Sequence, residues 1–106
     1  MVKQLTPEQL KASLDKNNPV LLLDVREPWE YEICHIDESV NISMSQIPSS
    51  LEQFDPEKEI VLICHHGIRS QQVANYLADK GFNKINSLDG GIDAWAKSID
   101  QTMAQY

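Results

Sequence analysis

One cysteine stands in a segment suited to nucleophilic chemistry: Cys64-His65-His66-Gly67-Ile68-Arg69-Ser70. It follows the unbroken apolar run Ile60-Val61-Leu62-Ile63, and a stretch of helical spacing follows it, with Gly67 inside the turn between them. A strand-to-helix turn of this kind aims several backbone N–H groups at one point beside a helix N-terminus, which makes an anion cradle. Arg69 adds permanent positive charge and a fork of donors matched to oxyanions. His65 and His66 add charge that depends on pH. The same donors stabilise negative charge on sulfur and so favour the nucleophilic thiolate. The segment can therefore bind an anionic donor and activate a thiol with one set of groups. Set against this is plain packing, because a cysteine ending an apolar strand is by type a small buried hydrophobe. The turn glycine, the following helix and Arg69 together shift the reading toward catalysis.

The elements that must position this segment follow from the apolar pattern. Thr6-Pro7-Glu8-Gln9 reads as a helix start, with Thr6 as cap, Pro7 at the first helical position and Gln9 completing a capping box. Leu10 and Leu14 give that helix one apolar face, and Asn17-Asn18-Pro19 ends it. Val20-Leu21-Leu22-Leu23, ending in Asp24, is a second unbroken apolar run, and such runs suit strands buried on both faces of a parallel sheet. Val40-Asn41-Ile42 and Lys84-Ile85-Asn86 are weaker strand candidates. Ile47, Leu51 and Phe54 sit at helical spacing. Val73, Ala74, Leu77 and Ala78 form a clearer stripe, closed by Lys80-Gly81. Ile92 and Trp95 predict a last short helix after Gly90-Gly91. Strand and helix alternate, so the expected class is α/β, a single domain over residues 1–106 with a central, largely parallel sheet flanked by helices on both faces. In open α/β sheets ligands sit beyond the carboxyl ends of the strands. The groups expected there are Asp24, in Asp24-Val25-Arg26-Glu27, and Cys64.

Composition narrows the function further. The 106-residue chain carries a formal net charge of −7, which argues against nucleic acid and against an anionic membrane surface as partners. No apolar run approaches the roughly 18 residues of a membrane span. The first residues lack the apolar stretch of a signal peptide, so a cytoplasmic location is expected. Two cysteines without an export signal do not predict a disulfide scaffold.

With these residues in view, the sequence resembles the rhodanese family from about Thr6 to Lys97. The segment from Cys64 to Ser70 is similar to its active-site loop, Cys-x-x-Gly-x-Arg-Ser, and Asp24-Val25-Arg26-Glu27-Pro28-Trp29-Glu30-Tyr31 to its Asp-Val-Arg-Glu-x-x-Glu-Tyr motif. His35-Ile36, Asn41-Ile42, Gly81-Phe82, Leu88-Asp89-Gly90-Gly91 and Trp95 follow in the family's order. The resemblance implies a sulfurtransferase in which a catalytic cysteine takes the outer sulfur of thiosulfate or a similar small anion and holds it as a persulfide. The sulfur then passes to cyanide or to a thiol, including a thiol on a protein. Carried over residue by residue, Cys64 is the nucleophile and Arg69 binds the anion. The backbone from His65 through His66, Gly67 and Ile68 to Ser70 holds donor and persulfide. Asp24 and Arg26 support the loop by ion pairing. No cofactor is implied. The chain departs from the pattern at Cys34, where Gly is usual, at Glu38-Ser39 for Gly-Ala, and at Ser43 for Pro. None of these changes removes a catalytic group.

Other readings stand beside this one. Related phosphatases and arsenate reductases tend to place five residues between Cys and Arg, whereas His65 to Ile68 is four, a length that suits sulfur transfer. A rhodanese-like binding or regulatory module usually lacks the cysteine, which is present here. Zinc on Cys34, His35, Cys64, His65 and His66 is disfavoured because adjacent side chains diverge, so no metal is expected. Cys34 is read as a buried thiol rather than a resolving one, and His35 as fixing its turn through backbone carbonyls rather than as an acid or base. Trp29, Tyr31, Phe82 and Trp95 are read as core or edge packing.

Overall fold

The computed structural model describes residues 2–17 and 19–106. Its centre is a five-stranded, wholly parallel sheet: β1 (Lys3–Leu5), β2 (Leu21–Asp24), β3 (Val40–Asn41), β4 (Ile60–Ile63) and β5 (Ile85–Leu88), in the order β1-β5-β4-β2-β3. The helices are α1 (Pro7–Asp15), α2 (Pro28–Ile33), α3 (Ile47–Ser50), α4 (Ile68–Asp79) and α5 (Gly91–Ser98). The central strands, β2 and β4, pair in register from Leu21 with Ile60 to Asp24 with Ile63. The Asp24 and Cys64 segments therefore leave the sheet side by side.

The unbroken apolar runs are what a sheet covered on both faces requires. Along β4, Ile60 and Leu62 pack on one face with Ile47 of α3 and with Val73, Ala74 and Leu77 of α4. Val61 and Ile63 pack on the other face with Leu10 of α1 and with Ile92 and Trp95 of α5. Neighbouring residues of one strand thus feed two separate cores, which is the strand period of two at work.

The first helix begins as its sequence directs: Thr6 Oγ1 accepts from Gln9 N at 3.1 Å and Gln9 Oε1 accepts from Thr6 N at 2.9 Å. It ends at Asp15; of the expected breaker, Asn18 lies outside the described residues. Other expectations need correction. The spacing of Ile47, Leu51 and Phe54 does not make one helix: a 3₁₀ turn at Met44–Gln46, one α turn at Ile47–Ser50 and a 3₁₀ turn at Leu51–Gln53 follow in succession. Short 3₁₀ pieces joined end to end turn the chain more tightly than a continuous α-helix would. Strand β1 and helix α2 have no counterpart in the periodicity reading. The first is a three-residue edge strand and the second a six-residue helix, both too short to show a period.

Candidate active site

Gly67 is the N-cap of helix α4, and its φ of +105° lies in the left-handed region. That φ is strained for any residue bearing a Cβ, so glycine is what lets the chain turn from β4 into α4 this tightly. The turn folds back on Cys64. The amides of Gly67 and Ser70 donate to Cys64 Sγ at 3.0 and 3.3 Å, and Ser70 Oγ lies 3.5 Å away. The sulfur thus sits inside the first turn of α4, where amides have no intrahelical acceptor, and Cys64 is only 1 % exposed. Ser70 Oγ is itself 2.8 Å from Ser87 Oγ on β5 and donates to Gly67 O at 3.1 Å. Ser87 is absent from the sequence reading because it reaches the site only through sheet pairing.

The outward side of the loop is held by α5. Ile92 N donates to Cys64 O at 2.8 Å and Asp93 N to His65 O at 3.1 Å. The carbonyls of the loop are tied to one helix, and two of its amides point at the sulfur. Gly91 permits this closeness, because a Cβ on it would stand 2.4 Å from Cys64 O.

Charge around the loop is paired. Arg69, expected to bind an anion, commits both terminal nitrogens to Glu30, at 2.6 and 2.8 Å. Glu30, buried on α2, also accepts from Glu27 N at 2.9 Å and from the Tyr106 hydroxyl at 2.9 Å. Arg69, opposed by burial and helped by that same Tyr106 hydroxyl, lowers the Glu30 carboxyl to about 2. Arg26 is fully buried and forks onto Asp24 at 2.7 and 2.9 Å. It also donates to Cys34 O at 2.7 Å and to the Tyr106 hydroxyl at 3.0 Å. Burial works against its charge, yet Asp24 and Tyr106 hold it protonated beyond its ordinary range. The Tyr106 hydroxyl, pushed up to about 12 chiefly by burial, links the two ion pairs by accepting from Arg26 and donating to Glu30. Neither Tyr106 nor the role of Glu30 is visible in the sequence, since these contacts span 80, 76 and 39 residues.

An aromatic row runs beside the loop. Trp29 meets Tyr106 edge-on at 6.0 Å, Tyr106 stacks on His65 at 3.9 Å, and His65 stacks on His66 at 4.0 Å. Trp29 is 60 % exposed and packs at the edge against Tyr106, whereas Phe82 and Trp95 are buried in the core. Burial, and then the His66 charge, lower the pKa of His65. His66 Nδ1 lies 3.8 Å from Asp93 Oδ2. Of the described residues, the set that could hold a metal ion is His65, His66 and Asp93, whose ligand atoms lie within 4.8 Å of one another. It is not the cysteine-containing set weighed from sequence, and Asp93 is already paired with Lys97 at 3.0 Å. Adjacent His65 and His66 converge rather than diverge, because both rings lie in the stack. Cys34 is a free, buried thiol whose sulfur lies 4.0 Å from Arg26 Nη1. His35 stands apart from the loop, with Nδ1 2.8 Å from Tyr31 O and its ring stacked on Tyr31 at 3.9 Å.

A parallel sheet with a cysteine cradled at the carboxyl end of its central strand defines a class, and the comparisons agree: the rhodanese-like domain family model matches residues 6–98, so the chain belongs to that family. It is 35% identical over 103 residues to the thiosulfate sulfurtransferase GlpE of Pseudomonas syringae, covering 97% of this chain and 95% of the relative. It is 37% identical over 94 residues to the putative sulfurtransferase YtwF of Bacillus subtilis, covering 89% and 90%. A crystal structure of a rhodanese-like domain protein from Staphylococcus aureus superposes with a TM-score of 0.85 at 30% identity, covering 98% of both chains. No helix among the described residues is long and apolar enough to cross a membrane.

Proposed function

We propose that this protein is a sulfurtransferase that carries sulfane sulfur as a persulfide on Cys64, from thiosulfate or a similar small donor to a thiol or cyanide acceptor. The observation that carries the reading is the pair of amides, from Gly67 and Ser70, converging on Cys64 Sγ at the carboxyl end of β4. The names of the relatives point the same way. In the first half-reaction the Cys64 thiolate attacks the outer sulfur of thiosulfate. A new S–S bond forms, the old one breaks with its electron pair on the leaving group, and sulfite departs. In the second, an acceptor thiolate or cyanide attacks the outer sulfur of the persulfide and the Cys64 thiolate is regenerated. Amides fixed at the sulfur before reaction stabilise its charge without reorganising, and thiol–persulfide exchange needs no separate base.

The test is intact mass spectrometry after incubation with a sulfur donor. A gain of about 32 Da, one sulfur atom, is expected in the wild type and absent from Cys64→Ala. Absence of the adduct from folded, reduced wild type with every donor class overturns the reading and leaves a binding module of the same fold.

A further inference from the structure

Three side chains where the Cys64 loop meets α5 form a cluster that the persulfide reading does not use. His65, His66 and Asp93 place one ligand atom each within 4.8 Å of one another, and His66 Nδ1 lies 3.8 Å from Asp93 Oδ2. The backbone beneath them is fixed. Ile92 N donates to Cys64 O and Asp93 N to His65 O, which ties the loop to the first turn of α5, and Gly91 permits the close approach. The His65 ring is held by its stack on Tyr106 at 3.9 Å. The His66 side chain is 60 % exposed, so its ring can turn at little cost. Two imidazoles and a carboxylate make a donor set suited to a first-row dication. Tetrahedral ligands about 2.1 Å from such an ion stand about 3.4 Å apart. The stacked histidine rings, 29° from parallel, do not yet aim at one point, so closing the cluster is a rotation of His66 off the stack. Lys97 Nζ, 3.0 Å from Asp93 Oδ2, already sets a cation on the carboxylate, and an exposed pair of that kind is weak. The net charge of −7 favours a dication over the lysine.

We propose that His65, His66 and Asp93 bind zinc or a first-row dication of like chemistry, with a fourth position left to water. Divergence of adjacent side chains is what argued against a metal from sequence. Here the turn brings both histidine rings to one side, and the third ligand comes from another element. Neither cysteine belongs to the set: Cys34 and Cys64 are buried, and Cys64 Sγ is turned to the amides of Gly67 and Ser70. A bound ion joins the loop to α5 through side chains as well as backbone and leaves the sulfur cradle as it is. The site stands whether or not Cys64 carries sulfur.

The test is calorimetric titration of the untagged, reduced protein with zinc chloride, run on Cys64→Ala so that the loop thiol cannot take the ion. We expect saturable uptake of one ion per chain with a Kd below about 0.1 mM. Asp93→Asn and His66→Phe, each added to Cys64→Ala, weaken it by about tenfold or more. Lys97→Ala strengthens it by roughly threefold, because the carboxylate loses its competing cation. That position is exposed, so it keeps the test open should a ligand variant fail to fold. Cobalt(II) added to the wild type gives a second readout: the spectrum is expected to lack the sulfur-to-cobalt charge-transfer band of the near ultraviolet. Such a band overturns the site in favour of a thiolate ligand. So does a zinc affinity that neither Asp93→Asn nor His66→Phe changes, and so does a Cys64→Ala protein that takes up no zinc.

Discussion

Four hydrogen bonds meet on the Glu30 carboxylate: two from Arg69, one from the Glu27 amide and one from the Tyr106 hydroxyl. Its pKa is about 2 in the folded chain against an ordinary 4.5, chiefly because of Arg69. A depressed carboxylate contributes stability above its unfolded pKa and loses it as pH falls toward the folded one. Urea unfolding of the wild type is expected to show a loss of about 2 kcal/mol between pH 6 and pH 3 from this group alone, and Glu30→Gln a correspondingly flatter profile. Equal slopes would mean that the Arg69 contact contributes little in solution. Tyr106→Phe keeps the stack on His65 and deletes both hydroxyl bonds. We expect it to cost about 1–2 kcal/mol and to raise KM for the sulfur donor more than it lowers kcat, as steady-state kinetics beside a thermal melt would show. Legibility at this scale divides by sequence distance. Cys64, Gly67 and Ser70 could be read together because three amino acids of one loop build the cradle. The partner of Arg69 could not be read, because that pairing depends on how α2 lies against the loop.

Among the elements, α5 does more than cover the sheet: its first turn donates to the carbonyls of Cys64 and His65. Gly91→Ala places a Cβ 2.4 Å from one carbonyl oxygen and 2.5 Å from the other, at a φ of +62°. The expected result is a loss of about 2–4 kcal/mol in urea titration together with slower sulfur loading, because the loop must move to make room. The turn before β3 offers the opposite case. Glu38, in the place where the family usually carries glycine, holds a φ of +71°. Glu38→Gly relieves that conformation, with an expected gain of about 1 kcal/mol and a melting temperature higher by about 4 °C. The buried strands were legible because sheets covered on both faces demand unbroken apolar runs. Short edge and connecting pieces were not, since their conformation is set by what they dock against.

For the molecule as a whole, the charge of −7 acts on every anionic donor before contact. Raising the ionic strength from about 0.01 to about 0.15 M shortens the screening length from ~30 to ~8 Å, and we expect kcat/KM for thiosulfate to rise roughly threefold. A fall instead would reveal a local attractive field at the loop that outweighs the total. The parallel sheet divides the interior into two cores, and it also sets the two tryptophans in opposite surroundings: Trp95 in one core and Trp29 in the solvent beside the loop. The chain thereby carries its own optical gauge. Emission from Trp95 reports the state of the core at short wavelength. Emission from Trp29, longer in wavelength and open to quenchers, reports on the rim, so filling of the site can be followed by light while the fold stays silent.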